Sequence, residues 1–382
     1  MVLTRKMLRL EDNFNGFTNF FKDGLKRFLR LVPSLAALAF LAVTVLNHHQ
    51  EEPTFRKFSV PEQQLNSLAN ACTGYDWLFP VTMTMTWLWP QAAANPDGIC
   101  NAWTWYVSNE FWFYLGSLVL VPMVLSSKNT TRYIAYFIIS ALFVALFSSL
   151  IWLASYCYFY FPYYLYSNVE NYKWTSNNAP EECTSQETLW NQIYFIPFYR
   201  YGPYLVGILT GAFLAKNGFK NKTIDLGITQ TTGRVLMSLV ILGLLAIIYF
   251  PLPTAYTDEG VFYPQWIADL YEGFSRTLWG VFICGMVVLM EGGITGPWDF
   301  LKSDYFLIFS KINFSSYLIH YYAITWIVTA SFGTSFYLSP NLGALVGVCG
   351  CFLMYFTGGI FFVIFEAPFA VICDILFNKF IK

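Results

Sequence analysis

Charged side chains are what this sequence has least of. They make up 12% of its 382 residues, about half the share found in soluble domains. So small a supply cannot clothe a water-exposed surface, and a soluble globular protein is excluded. The net charge is −1, and no basic block is longer than the cluster near the start, so a nucleic-acid partner is not expected. Histidine occurs three times, never with cysteines at zinc-site spacing. The two thiols of CGC at 349–351 stand too close on a helix for a tetrahedral site, so neither a metal nor a bound cofactor is expected. A secretory signal would place an apolar core within the first 15–30 residues or so. Here the first apolar run begins only after Arg30, so no cleavable signal is expected and insertion is expected to start from an internal helix.

What fills the sequence instead is apolar and aromatic: 56% and 20% of residues. Runs of roughly 20 such residues cross a bilayer as helices. Eight candidates are present, near 31–46, 103–124, 133–155, 201–215, 235–253, 273–290, 313–332 and 343–365. With the N-terminus inside, most of the 22 lysines and arginines fall in cytoplasmic segments, as the positive-inside rule requires. The pattern predicts an all-α, polytopic transmembrane protein of about eight spans with both termini cytoplasmic. Residues 1–30 read as a cytoplasmic basic amphipathic segment, 31–373 as the transmembrane domain and 374–382 as a cytoplasmic tail. Within the first of these, the phenylalanines and leucines of 17–32 oppose Lys22, Lys26, Arg27 and Arg30 in the manner of an interfacial helix. Membrane lipids are the implied partners, in the plasma membrane or the endoplasmic reticulum.

The same topology sorts the cysteines. Cys72, Cys100, Cys157 and Cys183 fall on or near the oxidising face. Cys72 with Cys100 is the first choice for a disulfide, and Cys157 with Cys183 the second. Cys284, Cys349, Cys351 and Cys373 read as small packing residues. The three sequons at Asn129, Asn221 and Asn313 land on the cytoplasmic side and read as chance matches. The external stretch DWLFPVTMTMTWLWP suits a re-entrant or interfacial element.

Ionisable groups at membrane depth are costly and mark protein interiors or water-filled cavities. The candidates are Glu110, Arg200, Glu272, Arg276, His320 and Glu366. Glu110 shares a helix face with Tyr106 and Phe113; it reads either as a catalytic acid or as half of a packed ion pair. Arg200, ahead of Pro203 and a Gly207/Gly211 packing face, reads as an anion-binding group or as a side chain reaching back to the interface. Glu272 and Arg276, four residues apart, can satisfy each other. His320, midway along the seventh span, reads as a structural strut ahead of a general base. Glu366, before Pro368, suits a helix end. Lys26, Arg27 and Arg30 form the candidate phosphate contact, although topology alone accounts for them.

Taken in order, these stretches resemble the acyltransferase-3 membrane proteins, and within them the nose-resistant-to-fluoxetine branch. The matching pieces are LKRFLRLVPSL, the Cys72 and Cys100 bracket around a tryptophan-rich loop, WYVSNEFWFYL, PFYRYGPYLVGILTG, FSKINFSSYLIHYYAITW and FEAPFAVICDILF. They cover the chain from about residue 17 onward. The resemblance implies transfer of an acyl group from acyl-CoA, as co-substrate, to a hydroxyl-bearing acceptor. It implies that Lys26, Arg27 and Arg30 face the CoA phosphates, and that Glu110 is the acid of the pattern formed by Trp105, Glu110, Phe113 and Tyr114. In that family the base is a histidine on a span preceding the matched region. His48, His49 and His320 do not correspond to it. For this chain the resemblance therefore implies either an acyltransferase-3-like protein without its base, inactive or a partial product, or a transporter of lipids or small hydrophobic molecules.

Overall fold

The computed structural model describes residues 16–46, 72, 75–87, 100–157, 196–217, 224–251, 263–331 and 340–380. Among the described residues every regular element is helical. The long ones are α1 (Gly16–Leu41), α3 (Trp105–Leu125), α4 (Asn129–Cys157), α5 (Gly202–Lys216), α6 (Gln230–Tyr249), α7 (Gln265–Glu291), α8 (Tyr305–Ser331), α9 (Pro340–Phe361) and α10 (Ala367–Phe380). A short α2 (Leu78–Thr82) lies between α1 and α3. Among the described residues six stretches are long and apolar enough to cross a membrane: Phe21–Thr44, Ala102–Leu125, Asn129–Cys157, Gln230–Tyr249, Gln265–Glu291 and Gly347–Ile375. They coincide with six of the eight expected spans, and the protein is an integral membrane protein. The other two expected spans fall on α5 and α8. With 15 residues, α5 is about 22 Å long, less than the roughly 30 Å hydrocarbon layer.

The chain forms two compact units, one of residues 113–300 and one of 16–112 with 301–382. In the first, α7 packs against α4, α5 and α6. Small residues set these approaches. A Cβ on Gly280 would lie 2.9 Å from the Pro203 backbone, and one on Gly202 would lie 2.2 Å from Thr277 Oγ1. Leu120, Val121, Val124, Ala135, Ile139, Leu205, Ile208 and Ala212 form one of its cores. The N-terminus of α6 is capped by Thr229, which accepts from the Thr232 amide at 3.2 Å. Gln230 and Arg234 tie that end to the turn after α7, donating to the Gly293 and Thr295 carbonyls at 3.0 and 2.9 Å.

The second unit is organised around α1, which touches α2, α8, α10 and the turn between α9 and α10. Leu35, Leu38, Ala39 and Ala42 are buried, the i, i+3, i+4, i+7 stripe of a helix facing a core. Two sequence expectations change here. The basic amphipathic stretch and the first span are one continuous helix through Pro33, so Lys26, Arg27 and Arg30 ride on the crossing helix itself. And Glu366 does not end its helix. Pro368 lacks the amide that would close an ordinary turn; the chain widens instead into a π-helical turn, Phe362–Glu366, and runs on as α10 through the expected tail.

Candidate functional site

The 16–112/301–382 unit holds most of the singled-out residues, and they arrange themselves along α1 from its disulfide end to its basic end. At the first, Cys72 and Cys100 are disulfide-bonded with Cα atoms 4.5 Å apart and pack on Ala42 and Tyr322. Asn101 then takes a left-handed conformation (φ 50°), which asparagine tolerates better than most residues, and accepts a hydrogen bond from the Tyr322 hydroxyl. Cys157 is also disulfide-bonded; Cys183, like His48 and His49, lies outside the described residues.

Trp103 is the anchor of this end. Its Nε1 donates to the Leu318 carbonyl at 2.9 Å, its own carbonyl accepts from the Tyr317 hydroxyl, and its ring stacks on Tyr321 at 4.7 Å and meets Tyr322 edge-on at 4.9 Å. Four consecutive-turn contacts from α8 thus hold the disulfide-bearing turn. Trp103→Ala removes the indole hydrogen bond and the two ring contacts and leaves only the backbone carbonyl that accepts from Tyr317, and large aromatic truncations in packed sites cost about 3–5 kcal/mol. The expected result is a markedly lower unfolding temperature in detergent even with the disulfide intact, read by the decay of a monodisperse gel-filtration peak on heating.

His320 belongs to the same cluster. Its ring lies 5.4 Å from that of Tyr317 and 6.3 Å from that of Trp103. Nδ1 contacts the Tyr317 carbonyl oxygen one turn back. Because a carbonyl only accepts, Nδ1 is the nitrogen that carries the hydrogen in this contact, which in a neutral ring leaves the lone pair to Nε2. Tyr317 also packs on Tyr106 at 6.0 Å, one turn before Glu110 on α3.

Glu110 pairs with Arg27 of α1, with side chains 38% and 31% exposed. Lys26, next along, pairs with Asp374 of α10 at 2.6 Å. Two of the three expected phosphate-binding cations are therefore engaged by carboxylates. The third, Arg30, lies within electrostatic range of Glu366. Glu366 is buried and its Oε2 accepts from the Ser315 hydroxyl at 2.6 Å. Nearby on α8, the Ser316 hydroxyl is buried with no hydrogen-bond partner among the described residues. The span-bearing unit thus holds three polar pairs: Tyr317 with His320, Glu110 with Arg27, and Ser315 with Glu366.

Arg200 belongs to the other unit, at the end of a 3₁₀ turn (Pro197–Arg200) that leads into α5. Glu272 and Arg276 pair with each other on α7 as their spacing suggests. Beside Arg200, burial pushes the Tyr199 phenol above its ordinary value, and a hydrogen bond with Ser149 opposes that shift. The sequence reading missed Trp103 as an anchor and Ser315 as the partner of Glu366; only quartets of aromatics around a single tryptophan, and a serine 51 positions from its carboxylate, would have signalled them. Among the described residues no group of three or more metal-ligating side chains gathers.

No protein-family model matches the chain, and no solved structure matches it. The chain is similar to Nose resistant to fluoxetine protein 6 of Caenorhabditis elegans, with 23% identity over 361 residues, covering 93% of this chain and 40% of that protein. This chain thus spans less than half the length of that relative. The likeness runs along nearly all of the chain and fits the nose-resistance branch that its motifs resemble. Together with the apolar helices, it points to an integral membrane protein similar to the nose-resistance proteins.

Proposed function

We propose that this is an acyltransferase-3-like membrane protein of the nose-resistance type that binds a lipid or another hydrophobic small molecule in the 16–112/301–382 unit and moves it. The observation that carries this reading is the pairing of Arg27 with Glu110 within the crossing stretch Phe21–Thr44. Charges at that depth are kept where they serve a ligand or a hydrated path. The engagement of Lys26 and Arg27 by Asp374 and Glu110 also leaves few cations for the phosphates of a CoA, which favours movement over acyl transfer. The membrane is the plasma membrane or the endoplasmic reticulum.

Acyl transfer from acyl-CoA to a hydroxyl is the second reading, and the tautomer of His320 favours it. With Nδ1–H held by the Tyr317 carbonyl, Nε2 is oriented as a base. It would take the acceptor's hydroxyl proton as the oxygen attacks the thioester carbonyl, and the thiolate of CoA would leave and be protonated. Proteoliposomes holding the purified full chain decide between the two. A fluorescent short-chain phosphatidylcholine is expected to redistribute between leaflets at a rate indifferent to acetyl-CoA and unchanged in His320→Asn. Absence of redistribution, with CoA released from acetyl-CoA by the wild type and not by His320→Asn, would replace the first reading by the second.

A further inference from the structure

Glu366 occupies the only described interruption of the helical path from Pro340 to Phe380. π-helical turns of this kind recur at functional sites, and here the turn lies just ahead of Pro368. The turn aims the carboxyl inward. It is 8% exposed, within the stretch Gly347–Ile375 that is long and apolar enough to cross the membrane.

A buried carboxylate is tolerated when its lone pairs are satisfied or its charge is neutralised. Glu366 has one hydrogen bond, from Ser315 to Oε2; Oε1 has no hydrogen-bond partner among the described residues. Its surroundings hold few other charges. From α1 it is faced by Arg30, which makes no ion-pair contact among the described residues. Lys26, one turn earlier, is occupied by Asp374. From α8 it is faced by Ser315. On α10 the Cys373 thiol donates to the Leu29 carbonyl at 3.3 Å. The last turn of α9, Gly358–Phe361, carries no ionisable side chain. One carboxylate, one distant guanidinium and one open oxygen is an incomplete charge balance.

We propose that Glu366 is a proton-binding site: Oε1 accepts a proton delivered by hydronium, the O–H bond forms as a water is released, and on deprotonation the charge is balanced by Arg30 instead. The proton and Arg30 are alternatives. Arg30 lies on the same helix as Arg27, itself paired with Glu110. The ligand is the proton, and the site is separate from any group that touches a transported or acylated molecule.

Infrared difference spectra of the full chain in lipid nanodiscs, between about pH 4 and about pH 9 so as to bracket ordinary carboxyl and histidine titration, test this without any substrate. Wild-type protein is expected to show a protonated-carboxyl C=O band that shifts in D₂O and is absent from Glu366→Gln. Ser315→Ala, which keeps the carboxyl and removes its hydrogen bond, is expected to retain the band at a raised frequency. A Glu366→Gln spectrum that superimposes on wild type in the carboxyl region overturns the proposal. So does a Ser315→Ala band that does not move, and that second variant carries the test even if the first fails to fold.

Discussion

Gly358→Ala is expected to disrupt the protein while Gly359→Ala, one residue on, is expected to leave it as stable as wild type or more so. The two glycines sit in the same helix and differ in what their missing Cβ would meet. At Gly358 the atom would lie 2.1 Å from Ser316 Oγ and 2.5 Å from Ser316 Cα; at Gly359 nothing lies within 4 Å. The hydroxyl can rotate, but the α8 backbone at Cα cannot retreat without parting α8 from α9, the most extensively packed pair of elements. Overpacking of this sort costs about 1–3 kcal/mol and occasionally more. In a bilayer, where helices associate by close packing of small residues rather than by exclusion of water, the upper end is expected. At Gly359 only helix propensity changes, which favours alanine by up to about 1 kcal/mol. Thermal unfolding in detergent, read as loss of monodisperse protein, measures both. Equal effects from the two variants would mean that α8 and α9 do not meet at Ser316. Equal tolerance would mean the same.

The contrast between those neighbours also shows where the sequence stops being legible. Hydropathy runs located the crossing helices, because a helix that must satisfy its own backbone in lipid leaves a long apolar signature. The Glu272–Arg276 pair was legible for the same local reason, four residues on one helix. Nothing local distinguishes Gly358 from Gly359, since the difference lies on α8, more than forty positions earlier in the chain. The Arg27–Glu110 pair was half legible. Glu110 demanded a partner by its depth, but the topology had placed Arg27 outside the membrane, on an interfacial segment. The continuous helix through Pro33 is what carries Arg27 within reach, and a proline early in an apolar run is ambiguous between a helix start and a tolerated kink. The Ser315–Glu366 contact was not legible, because the π turn that aims Glu366 inward depends on how Pro368 is accommodated in three dimensions.

Separating what the Arg27–Glu110 pair does for the fold from what it does for function requires removing both charges together. Either single change, Arg27→Met or Glu110→Leu, leaves one charge of this pair in the span without the other. Breaking a fully buried pair costs about 3–5 kcal/mol. With the Glu110 side chain 38% exposed some of that is recovered by solvent or lipid headgroups, so about 1–3 kcal/mol is expected from each. The double variant Arg27→Met with Glu110→Leu has no orphaned charge, and apolar replacements of similar volume are often neutral or stabilising. It is therefore expected to unfold at or above the wild-type temperature, a non-additivity large enough to establish direct contact. Stability being restored, its activity becomes interpretable. If the pair lines a path for a polar headgroup, as proposed, the double variant is well folded and the fluorescent phosphatidylcholine no longer redistributes. If instead it redistributes at the wild-type rate, Arg27 and Glu110 are a packing device, and the ligand must be sought elsewhere in the unit, at Tyr317 and His320. A double variant no more stable than its parents would mean that the two charges do not meet in the membrane at all.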